Sequence, residues 1–130
     1  MNEAIQHRVI FKDATAAELF SIITDPKKHS AILGGTTARI SDREGEPFSL
    51  MDGNLQGKNL LIVPNKMIVQ SWRGNIWKPG DLDSILIFVF SDTKKGAQVD
   101  LVHAVTPDHF TELWDKIYWQ PIREYLAAKK

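Results

Sequence analysis

The sequence predicts an α+β fold in which a curved antiparallel sheet of six or seven strands wraps around one long carboxy-terminal helix, with two short helices after the first strand. Three observations carry that expectation: a period-two strand opens the chain, short apolar runs punctuated by turn residues fill its middle, and a three- and four-residue apolar periodicity fills its end. Length sets the scale. At 130 residues, 43% hydrophobic and 25% charged, the chain suits a single domain over 1–130 with one core.

In AIQHRVIF, residues 4–11, Ile5, His7, Val9 and Phe11 fall on one face, as in a half-buried strand. Thr15-Ala16-Ala17-Glu18 then reads as a capping box, the threonine accepting an orphan amide of the helix start and the glutamate reaching back to the cap. Leu19, Phe20, Ile22 and Ile23 supply that helix's apolar stripe. It stops at Asp25-Pro26, because the residue before proline is pushed out of the helical region. Residues 27–33 predict a second short helix before Gly34-Gly35. From 36 to 106 five or six strands fit, at 36–41, 47–51, 55–63, 66–73, 84–91 and 97–105. The turns between them have suitable chemistry: Asp52-Gly53-Asn54, Pro64-Asn65, Pro79-Gly80-Asp81 and Lys94-Lys95-Gly96.

Beyond Pro107, Phe110, Leu113, Trp114, Ile117, Tyr118, Pro121, Ile122, Tyr125 and Leu126 lay a broad apolar face along a helix of about five turns. Pro107 suits the first turn, whereas Pro121 removes an internal hydrogen bond and predicts a kink near Ile117. Trp114 and Trp119 come out about 140° apart on an α-helix, so Trp114 is expected in the core and Trp119 at a lateral or contact position.

Composition excludes several functions. Sixteen basic and sixteen acidic residues, with no block of either sign, lack the footprint of a general nucleic-acid binder. The absence of cysteine removes disulfides, thiolate metal sites and a cysteine nucleophile. No cofactor is expected, and no metal site either, since no zinc-helix signature or histidine-carboxylate spacing occurs. MNEAIQHR has no signal-like apolar run and no stretch is long enough for a membrane span, so the cytoplasm is the expected location.

Among polar residues His103 stands out, sharing its strand face with Val99, Leu101 and Val105 as His7 does with Ile5 and Val9. If first and last strands pair, the two imidazoles approach as an acid/base or ligand-anchoring pair; the blander and favoured reading is a core or rim histidine with one hydrogen-bond partner. Trp72 and Trp77 suit a cavity mouth or a partner surface. Asp52, Arg73, Asp81 and Asp83 read as turn residues. Gly53, Gly57 and Lys58 do not make a phosphate loop, because three residues separate the glycines and no Ser or Thr follows the lysine. Residues 85–90 are apolar on both strand faces, so one face needs cover, and a homodimer through it is an expectation.

FSLMDGNLQGKNLLIVPNKMIVQSWR at 48–73, then Trp77, Asp83-Ser84 opening an apolar strand, LVH at 101–103 and WDKIYWQPIREYL at 114–126 together resemble the carboxy-terminal domain of the activators of the ninety-kilodalton heat-shock protein's ATPase. That domain type belongs to the helix-grip, START-like (SRPBCC) group, and the resemblance implies a sheet gripping the last helix. Two departures stand out. The family usually has glycine where this chain has Leu113, and a tryptophan after the first helix that 27–33 lacks. The combined reading is a non-enzymatic domain binding a small hydrophobic ligand between sheet and helix, with Trp72, Trp77, His103, Trp114, Tyr118 and His7 as cavity candidates. The alternatives are a chaperone-regulating domain that touches its partner through 52–58 and Trp77, or a hydrolase or cyclase using His103.

Overall fold

The structure, a computed structural model, describes residues 4–106 and 111–129. Strands β1 (Ile5–Phe11), β2 (Pro47–Leu50), β3 (Leu55–Val63), β4 (Met67–Gly74), β5 (Ser84–Thr93) and β6 (Gly96–Ala104) form one antiparallel sheet in the order β1-β6-β5-β4-β3-β2. The first and last strands pair, Ile5 opposite His103 and Phe11 opposite Ala97. Helices α1 (Ala16–Thr24) and α2 (Pro26–Ile32) follow β1; α3 (Thr111–Trp114), a π-helical turn (Asp115–Trp119) and α4 (Gln120–Ala128) form the carboxy-terminal helix.

Local chemistry fixes the starts of the short helices. The amide of Glu18 donates to Thr15 Oγ1 at 3.1 Å while the Thr15 amide donates to Glu18 Oε1 at 3.1 Å, completing the capping box. Asp92 Oδ1 takes a further amide, that of Ala16, at 2.8 Å, and so ties α1 to β5. Asp25 ends α1 and caps α2, accepting from the Lys28 amide at 3.0 Å with Pro26 in the first turn.

The expected strand at 36–41 does not form. Arg39 makes only an isolated bridge to Ser49, because neighbouring backbone groups are engaged by side chains elsewhere in the fold: the Thr37 amide donates to Asp52 Oδ1 at 2.8 Å and Ser30 Oγ donates to the Thr36 carbonyl at 2.6 Å. The sheet therefore has six strands. Between β2 and β3, Phe48 lies opposite Gly57, and a Cβ on that glycine would collide with the Ser71 carbonyl and the Phe48 ring. Glycine is required there by close approach rather than by turn geometry.

Alternation on β5 buries Ser84, Leu86, Phe88 and Phe90 toward the helices and leaves Ile85, Ile87 and Val89 partly exposed on the opposite face. On the inner side Phe20 of α1 meets Phe90 edge-on, with ring centroids 6.0 Å apart. Among the described residues no helix is long and apolar enough to cross a membrane.

At the carboxy-terminal helix, the expected kink is a π turn. Pro121 has no amide to offer the Ile117 carbonyl, and the Gln120 amide bonds the Asp115 carbonyl, five residues back. This widening overturns the placement of Trp119. Residues five apart nearly superpose in an i→i+5 turn, so Trp114 and Trp119 are both buried and stack at 5.4 Å with 26° between planes. Pro107 and Phe110, expected to begin this helix, lie outside the described residues.

Candidate functional site

The interior is organised around stacked rings. Alternation on β4 points Ile68, Gln70 and Trp72 inward, and Trp72 stacks on Trp114 at 5.3 Å and 24°. Tyr118, one turn further along the helix, lies 4.9 Å from Trp114 and 6.0 Å from Trp72. The indole N–H of Trp72 donates to Gln70 Oε1 at 2.9 Å, and Gln70 Nε2 donates in turn to Asn59 Oδ1 at 2.9 Å. Asn59 Nδ2 reaches the carbonyls of Ser41 and Arg43, both at 3.0 Å, so the buried amides form a satisfied chain.

Three histidines border this cluster, each held in a defined tautomer. An indole N–H can only donate, so the bond from Trp114 Nε1 at 3.1 Å makes His103 Nδ1 an acceptor and places the ring proton on Nε2. Nε2 then donates to Ser84 Oγ at 2.8 Å, and the Ser84 hydroxyl donates to the Trp72 carbonyl at 3.2 Å. Burial lowers the pKa of His103 to about 4, so the ring is neutral at pH 7. His7 accepts from Trp119 Nε1 at 3.0 Å through Nδ1 and pairs with Thr111 Oγ1 at 3.2 Å through Nε2. The two histidines share the inner side of paired strands, but each is joined to its own indole.

His29 is the third, and sequence reasoning missed it. Fully buried on α2, it donates from Nδ1 to the Ile23 carbonyl at 2.7 Å and accepts the Tyr118 hydroxyl at Nε2, 2.9 Å away. Burial pushes its pKa down to about 4 and pushes the Tyr118 phenol above its ordinary value. The available signal was spacing: His29, Ile32 and Leu33 sit at i, i+3 and i+4, the buried stripe of a short helix.

Beside the cluster lies a cavity of about 160 Å³. Its walls come from the 51–55 turn, the end of β4 and the connection after it, and the inner side of the carboxy-terminal helix. Of the predicted residues, Trp72, Trp77, Trp114 and Tyr118 line it together, whereas His103 and His7 stand behind the indoles. Trp77 is buried, whereas its neighbour Ile76 is exposed, at 53%. Asn75 joins the two turns at the rim, its amide donating to the Asn54 carbonyl at 3.0 Å. Leu113, which stands in the glycine position of the resembled family, is part of the lining. The charged residues here act as turn chemistry. Arg73 clamps the 78–83 connection through the Asp81 carbonyl at 2.6 Å, the Lys78 carbonyl at 2.9 Å and Asp83 Oδ1 at 3.2 Å.

A curved antiparallel sheet gripping a carboxy-terminal helix, with an aromatic-walled gap between them, defines a helix-grip domain of the START-like group. The particular family follows from the sequence: residues 13–127 match the family described as "Activator of Hsp90 ATPase homolog 1-like protein", and the chain belongs to it. The "Activator of 90 kDa heat shock protein ATPase homolog" of Dictyostelium discoideum is 35% identical over 66 residues, covering 51% of this chain and 17% of its own. Human "Activator of 90 kDa heat shock protein ATPase homolog 1" is 26% identical over 113 residues, 82% of this chain and 32% of its own. The chain thus spans about a third or less of the length of these relatives. Among solved structures, an HSP90 activator from Plasmodium falciparum superposes with a TM-score of 0.82 at 21% identity, covering 98% of this chain and 96% of its own. A protein from Mesorhizobium loti does so at 0.83 and 16%, covering 98% and 99%. At these identities the likeness establishes the fold.

Proposed function

We propose that this chain is a non-enzymatic accessory domain that acts on a ninety-kilodalton heat-shock protein in the cytoplasm and modulates its ATP hydrolysis. Family membership over 13–127, with relatives named for that activity, is the observation that carries the reading. The geometry favours an external contact over internal chemistry, since the interior imidazoles are engaged and neutral. The contact we assign is the corner formed by the 52–58 turn and strand start together with Ile76 and Leu82, the last exposed by 73%. The test is the ATPase rate of the source organism's chaperone with and without the protein. Stimulation is expected, and it should fall in Ile76→Asp and Leu82→Asp without loss of folding; an unchanged rate with the unaltered protein rules the proposal out.

A second reading is binding of a small hydrophobic ligand, favoured by the apolar cavity between sheet and carboxy-terminal helix. The two are compatible, because Ile76, exposed at 53%, is also part of the cavity lining.

A further inference from the structure

We infer that the cavity takes an uncharged guest the size of one aromatic ring, such as a monocyclic arene or a short branched alkyl group. The inference rests on the ligand-binding reading above and gives it a chemical class. Volume is the first argument. The cavity of about 160 Å³ matches an engineered apolar cavity of about 150 Å³ that binds benzene, and falls well short of the roughly 300 Å³ at which pockets for drug-sized ligands begin. A long acyl chain or a fused-ring steroid does not fit.

The chemistry of the walls is the second. Trp72, Trp77, Trp114 and Tyr118 bring rings to the cavity, with Leu55 and Ile117 between them; the amides of Asn54 and Asn75 also line it, and none of the described lining residues is charged. The polar atoms of three of these rings are already committed: the Trp72 indole to Gln70, the Trp114 indole to His103 and the Tyr118 hydroxyl to His29. What they can offer a guest is ring faces and edges. An ionised group entering would lose its hydration with no counter-charge among the described lining residues to replace it.

Pre-organisation is the third. The same three hydrogen bonds fix the rings through partners within the protein, so little ordering cost remains for the guest. The rim is partly open beside Ile76, which is 53% exposed, and this gives the guest a way in.

The experiment is a thermal-shift titration of the full chain with benzene, toluene and dodecanoate, with tryptophan fluorescence read in parallel because three of the four wall rings are indoles. Toluene and benzene are expected to raise Tm saturably by several degrees and to change the fluorescence, while dodecanoate does neither. If dodecanoate stabilises and the arenes do not, the ring-sized class is wrong although the ligand-binding reading stands; if none stabilises, both fall. Ile117→Trp, which fills the cavity, should abolish the arene response, and a folded variant that keeps it places the guest elsewhere and overturns the inference. Should that variant not fold, Leu113→Ala, which enlarges the cavity, should admit naphthalene where the unaltered chain does not; an unchanged preference also overturns it.

Discussion

Lowering the pH from 7.5 to 5.0 should remove about 4 kcal/mol of stability, and two buried histidines account for it. His29 and His103 each have a pKa of about 4 in the folded protein against 6.5 for the free side chain, both through burial. Because the folded values are depressed, the native state keeps both rings neutral while the unfolded chain takes up protons first. Their contribution is fully present above pH 6.5 and is lost as the pH falls toward 4. At pH 5 each unfolded imidazole is almost fully protonated and each folded one about a tenth so, which costs about 2 kcal/mol per site. The sum is a large part of the roughly 5–15 kcal/mol that holds an ordinary domain folded. Asp100, held below the ordinary aspartate range by its hydrogen bond from Arg8, loses its contribution only at pH values below this window. The assay is urea denaturation at the two pH values, with His29→Gln and His103→Gln each expected to lower stability at pH 7.5 and roughly to halve the pH dependence. A free energy at pH 5.0 within about 1 kcal/mol of that at pH 7.5 would show that these rings are not buried and neutral as described.

Gly57→Ala should destabilise the protein by at least about 2 kcal/mol, because the added methyl meets the Ser71 carbonyl as well as the Phe48 ring; a chemical-denaturation midpoint equal to that of the unaltered chain would refute the close approach. Tyr118→Phe leaves His29 Nε2 without its donor in the core and should cost about 1–3 kcal/mol in the same assay, with a loss below about 0.5 kcal/mol counting against the bond. If a second copy covers the outer face at Ile85, Ile87 and Val89, sedimentation equilibrium will show a dimer at high concentration and Ile87→Lys will dissociate it; a monomeric mass throughout ends that idea.

The parts of this fold legible in the sequence are those where local chemistry and burial agree. The capping box at Thr15, the stop at Asp25-Pro26 and the alternation of β4 to β6 act within a few residues of themselves, and the structure keeps them. Residues 36–41 read as a strand because their alternation is strand-like, but tertiary partners at Asp52 and Ser30 engage groups that a ladder would need. Trp119 failed for a different reason. Its position followed from 3.6 residues per turn, and Pro121 changes that number only together with the packing that rewards a wider turn. Four of the six candidate cavity residues do meet at one cavity, because apolar patterning finds the inner face. It does not find which polar atom each ring satisfies: the pairing of Tyr118 with His29 joins residues 89 apart and no local pattern encodes it.

Those pairings also bear on whether His103 can work as an acid or base. A general base must present a lone pair to substrate, and the Nδ1 lone pair here already receives the indole N–H of Trp114. The remaining nitrogen carries the proton and gives it to Ser84, whose own hydroxyl is spent on a backbone carbonyl of β4. This outwardly resembles a nucleophile and base at 2.8 Å, but the polarity is reversed, with the histidine donating to the serine. Inverting it would require breaking the Trp114 bond at the centre of a stack that includes Trp72 and Trp119, and so disturbing the packing of sheet against helix. The imidazole is better understood as a polar strut, one that fixes the orientation of Trp114 and, through it, one wall of the cavity. The most conspicuous polar residue of the sequence thus has both ring nitrogens spent on packing, whereas the exposed apolar side chains of Ile76 and Leu82 lie at the surface.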